Sequence, residues 1–86
     1  MEAVVCNKRG LHARAAARVA TLAETLGAEV FLSFEGQTVS TLSIMGMMML
    51  GASKGAVLLV SSSGDGAAQA AEQVAALVNA GFNEHD

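Results

Sequence analysis

Only 28 of the 86 residues are large enough to fill an interior, because 17 of the 45 apolar residues are alanine. The larger ones are nine Val, nine Leu, five Met, three Phe, Ile44 and Cys6. So small a stock allows one compact fold with no separate substrate domain, and residues 1–86 are expected to form a single domain. Little is left over for a deep pocket, so chemistry is expected on the surface.

Glycines punctuate the chain, which has no proline. Residues 2 to 6 are short and Val-rich and are followed by the turn signal Asn7-Lys8-Arg9-Gly10, which predicts a first strand. From Ala13 to Leu26, Val19, Leu22 and Leu26 recur at helical spacing with Ala15 extending the stripe, and Gly27 is read as the C-terminal cap. Val30, Leu32 and Phe34 alternate with Glu29, Phe31 and Ser33, and Glu35-Gly36 turns the chain into Gln37 to Ser40 as a hairpin. Ser43 reads as the N-cap of a brief helix that stops at Leu50-Gly51. Ala56 to Ser61 predicts a fourth strand, and Ala67 to Val78 a last helix closed by Gly81. The order β-α-β-β-α-β-α fits an α+β open-faced β-sandwich: a four-stranded antiparallel sheet with three helices on one face. Periodicity alone does not give the strand order.

Charge and cysteine content exclude several classes. The net charge is −3 with neither Trp nor Tyr, which argues against a nucleic-acid binder. One cysteine cannot form an internal disulfide, and no Cys or His pair has zinc-site spacing, so neither a metal nor a cofactor is expected. The start lacks signal-peptide order and no apolar run would span a bilayer, so a cytoplasmic protein without direct membrane insertion is expected. Four of the five basic residues (Lys8, Arg9, Arg14, Arg18) fall within the first 18 positions, whereas six of the eight acids follow residue 28. This asymmetry suggests a local anion site near the N-terminus.

The segment Gly10-Leu11-His12-Ala13-Arg14 places an imidazole and a guanidinium where a turn becomes the first helix. The first amides of a helix lack internal partners and carry the positive end of its dipole, so an anion such as a phosphoryl group would sit well there. The same positive field favours a neutral, nucleophilic His12. By position alone, the plainer reading is favoured: His12 merely sits at a helix start with Arg14 solvated beside it.

The pattern Gly10-Leu11-His12-Ala13-Arg14, with Ala16, resembles the active-site segment of HPr, the phosphocarrier of the bacterial phosphoenolpyruvate phosphotransferase system. A second segment, Ser43-Ile44-Met45-Gly46 with Met48, Leu50 and Gly51, resembles that family's regulatory-serine region. The resemblance extends through nearly the whole chain. It implies a stoichiometric carrier and not an enzyme, in which His12 accepts a phosphoryl group on Nδ1 from phosphorylated Enzyme I. An Enzyme II A-type acceptor would then receive it, in sugar uptake or in a regulatory branch. Arg14 would steady the phosphate. Ala13, Ile44, Met45 and Met48 would form the docking patch, and Ser43 could be the target of a serine kinase and phosphatase. A monomer is expected. The family usually has proline after the active-site arginine; here that place holds Ala15, which should loosen the site slightly.

Of Ile44, Met45, Met47, Met48 and Met49, about half are expected in the core, with the rest offering flexible thioethers to partners. Gly51-Ala52-Ser53-Lys54-Gly55 matches a hydrolase elbow but runs from helix to strand, the wrong way round. Asp65 in Gly64-Asp65-Gly66 is read as a helix cap, Cys6 as buried packing, and His85 as part of a frayed tail. Two rival functions stand beside the carrier. One is a docking module that carries no phosphate; the other is a small catalyst with His12 as general base, for which the sequence shows no suitably spaced carboxylate.

Overall fold

The computed structural model describes residues 1–84. The elements follow the predicted order: β1 (Glu2–Val4), α1 (Ala13–Glu24), β2 (Glu29–Phe34), β3 (Gln37–Ser40), α2 (Ile44–Met49), β4 (Val57–Ser63) and α3 (Ala67–Asn79), with a 3-10 turn at Gly81–Asn83. The strands form one antiparallel sheet in the order β1-β4-β2-β3. Ala3, Val30, Leu32, Leu58 and Val60 point into the core, whereas Val4, Val57 and Leu59 on the same strands are exposed. Strand side chains alternate between faces, so the helices cover one face of the sheet and leave the other open.

The β2–β3 hairpin closes through Glu35 (φ 49°) and Gly36 (φ 83°), both left-handed, in register Phe34↔Gln37. Two such residues match the right-handed twist of the flanking strands. α1 buries Ala15, Ala16, Val19, Ala20 and Ala23, so its inner face is mostly alanine, with Leu22 and Leu26 only partly buried at its edge. Small side chains let the helix lie close to its neighbours. The bulk of the core comes from elsewhere, including Phe82, Leu32, Met47 and Leu58, all fully buried. Burying one such side chain contributes about 1.5–3 kcal/mol.

Four local expectations are corrected. α1 ends at Glu24 and not near Leu26: the hydroxyl and amide of Thr25 both bond to the Leu22 carbonyl, tightening the last turn before Gly27 is reached. Asp65 does not cap α3; the cap position is Gly66, left-handed at φ 75°, with no side-chain cap bond. Cys6 is exposed and not packed inside, because the alternation that buries Ala3 and Val5 continues beyond the end of β1 and turns Cys6 outward. Val5 takes the buried place, and the Cys6 thiol donates to the Asn79 carbonyl at 3.3 Å. Of the five side chains in the Ile44–Met49 run, only Met47 is buried, since a helix of six residues turns one narrow stripe inward.

Candidate functional site

His12 is the N-cap of α1. Its backbone is extended (φ −89°, ψ −176°), its carbonyl accepts from the Ala16 amide at 2.8 Å, and its Nδ1 accepts from the Arg14 amide at 3.4 Å. The turn before it is fixed by Gly10, at φ 68° and packed against the Ala52–Ser53 backbone, while the Leu11 amide donates to the Ala52 carbonyl at 2.9 Å. The imidazole therefore stands over the first amides of α1, the end of the helix whose N–H groups lack internal partners.

The other face of the ring meets a carboxylate that sequence spacing did not reveal. His12 Nε2 lies 2.5 Å from Glu84 Oε2, across 72 residues of chain. The second oxygen, Oε1, accepts from Asn7 Nδ2 at 2.8 Å, and the same Asn7 nitrogen donates to the Gly10 carbonyl at 2.8 Å. Asn7 is 3 % exposed, so this amide is an internal strut between the active-site turn and the C-terminal segment. Arg18 completes the bracket by donating from Nη1 to the Phe82 carbonyl at 2.6 Å. Hydrogen bonding from Asn7, then from His12, with the positive charge nearby at Arg18, holds the Glu84 carboxyl below its ordinary range against an opposing contribution from desolvation. One neutral tautomer satisfies both ring nitrogens: Nε2–H donates to Glu84, and Nδ1 keeps a lone pair.

The other sequence-predicted residues are positioned as follows. Ala13 and Arg14 are exposed, and among the described residues the Arg14 guanidinium has no hydrogen bond or ion pair. Ser43 is exposed and caps α2, its hydroxyl accepting from the Gly46 amide at 2.9 Å. Ile44, Met45 and Met48 are exposed, Met45 at 68 %, and α2 packs beside α1. Sequence reading passed over Leu42, which is 60 % exposed, and counted Met49 in the methionine run without assigning it to the docking patch; Met49 is 74 % exposed. The Gly51–Gly55 segment joins α2 to β4, in the orientation that excludes a hydrolase elbow. His85 lies outside the described residues. Among the described residues, no cluster of His, Cys, Asp and Glu is arranged to hold a metal and no helix is long and apolar enough to cross a membrane.

Comparison with known proteins assigns this open-faced sandwich to a class of small phosphoryl carriers. The family model described as "PTS HPr component phosphorylation site" matches residues 1–80. The chain is 39% identical over 83 residues to the phosphocarrier protein HPr of Xylella fastidiosa, covering 96% of this chain and 93% of that protein. It is 36% identical over 83 residues to the phosphocarrier protein NPr of Shewanella violacea, covering 96% and 91% respectively. Among solved structures, an HPr from Thermoanaerobacter tengcongensis superposes with a TM-score of 0.90 at 32% identity, covering 100% of this chain and 97% of that one. HPr from Bacillus anthracis gives 0.85 at 36% identity, with coverage of 91% and 93%. This chain belongs to the HPr family of phosphotransferase-system phosphocarriers.

Proposed function

We propose that His12 is the residue that carries the phosphoryl group, accepting it on Nδ1 from phosphorylated Enzyme I and yielding it to an Enzyme II A-type acceptor. The observation that carries this reading is the position of Nδ1 beside the Arg14 amide at the start of α1. A phosphoryl oxygen on Nδ1 replaces the nitrogen lone pair as the acceptor for that amide, and the dipole of α1 favours its negative charge. Arg14, exposed and without a described partner, can swing to the same oxygens. The carrier turns over only between two other proteins. It must hold phosphate firmly enough to survive water yet loosely enough to give it up, which suits a half-exposed site better than an enclosed one.

Ala13, Ile44, Met45 and Met48 supply the partner surface in this reading, since methionine thioethers adapt to more than one apolar face. Ser43, on that surface, would become a dianion if phosphorylated by a kinase and would repel an acidic partner. Incubation with phosphoenolpyruvate and purified Enzyme I tests the proposal. The expected product is an acid-labile, base-stable phosphate that disappears in His12→Ala; an unlabelled wild type, or a label that persists in His12→Ala, refutes it.

A further inference from the structure

Building on the reading of His12 as phosphoryl acceptor, we propose that Glu84 is a positioning residue for the transfer: its carboxylate holds the proton on His12 Nε2 and fixes the ring plane, so that Nδ1 presents its lone pair to the incoming phosphorus. The C-terminal segment is built to deliver this carboxylate. Gly81 (φ 66°), Phe82 (φ 56°) and Asn83 (φ 60°) are left-handed in succession; glycine and asparagine tolerate this conformation, but a bulky side chain such as that of Phe82 avoids it. A tail with no task would relax out of it. Here it is pinned by the fully buried Phe82 side chain and by Arg18 on the Phe82 carbonyl. Beyond the pin, both Glu84 oxygens are engaged, one by Asn7 and one by His12. Local strain retained by over-determined surroundings is characteristic of functional sites.

The transfer step balances without a proton acceptor. The Nδ1 lone pair forms the N–P bond, the bond from phosphorus to the donor's leaving atom breaks, and that electron pair departs with the donor. Nδ1 carries no proton to lose in this tautomer. The ring gains positive charge as the bond forms, and Glu84 faces it through Nε2–H from the side opposite the phosphate, as the buried aspartate does for histidine in hydrolase triads.

Three proteins test the role: wild type, Glu84→Ala and Glu84→Gln, each checked for folding by its thermal melt. Nitrogen-15 NMR of the His12 ring reads the Nε2–H state and its solvent exchange, and phosphorylation by Enzyme I and phosphoenolpyruvate reads the rate. In Glu84→Ala the protected Nε2–H signal is expected to disappear and the rate to fall by up to about a hundredfold, the scale of a misplaced reacting group. Glu84→Gln keeps an acceptor oxygen and is expected to restore the signal and part of the rate. A rate unchanged in Glu84→Ala overturns the proposal, as does a reduced rate with an unchanged ring signal, because Glu84 would then not act through His12. If both readouts move as expected, the role stands. A wild type that takes no phosphate, despite a protected Nε2–H, would instead refute the carrier reading, and the transfer role would fall with it.

Discussion

Gly10 lies so close to Ala52 that a Cβ on it would come within 2.5 Å of the Ala52 carbonyl oxygen and 2.8 Å of the Ser53 Cα. The obstacle is backbone, which cannot swing aside, and Gly10 is also left-handed at φ 68°. Gly10→Ala should therefore destabilise the fold by on the order of 2–4 kcal/mol, combining strain with overpacking. Urea denaturation measures this through the midpoint. A change under about 0.5 kcal/mol would show that the 7–12 turn is free to shift.

Glu84 should make stability depend on pH in a defined direction. Its contacts favour the carboxylate, so its folded pKa lies below the ordinary 4.5. Its contribution is then fully present above pH 4.5 and is lost as the pH falls below that value through the folded-state pKa, because the unfolded chain binds the proton first. Thermal melts of wild type and Glu84→Gln from pH 7 to about pH 3 should differ most at neutral pH and converge in acid. Divergence toward acid would contradict the assigned contacts.

Ala15 is the third residue of α1 and is fully buried. Its amide precedes the first that closes on the helix, the Ala16 amide on the His12 carbonyl, so Ala15→Pro removes no intrahelical bond. Reduced freedom of the unfolded chain should stabilise the protein by about 0.4–1 kcal/mol, with phosphorylation retained. The melting temperature and Enzyme I-dependent labelling are the measurements. A lower melting temperature would mean that the ring does not fit where the Ala15 methyl sits.

Met47 and Met49 should separate core from surface on one short helix. Met47 is fully buried and Met49 is 74 % exposed. Met47→Ala is expected to cost about 2–5 kcal/mol, and Met49→Ala less than about 0.5 kcal/mol. Chemical denaturation compares them directly. Comparable losses would place Met49 against the core in solution.

Much of the fold was readable from neighbours in the chain. The Glu35-Gly36 turn, the Ser43 cap of α2, the left-handed stop at Gly51 and the placing of His12 at the start of α1 all rest on interactions within about four residues. Errors came where two local signals competed, Thr25 ending α1 before Gly27 and Gly66 displacing Asp65 from the cap, and where the phase of an alternation was misassigned, Val5 and not Cys6 facing inward.

What the amino-acid order determined by itself was the succession of elements and the residue at the head of α1, because periodicity, caps and tight turns are settled by short-range sterics and hydrogen bonds. Only the tertiary structure decided the strand order β1-β4-β2-β3 and the union of Asn7, His12 and Glu84. Glu84 follows His12 by 72 residues, and no local pattern marks a carboxylate whose partner is chosen by how Phe82 packs into the core. Contacts at that separation depend on the packing of the whole sheet and its helices, which no window of sequence contains.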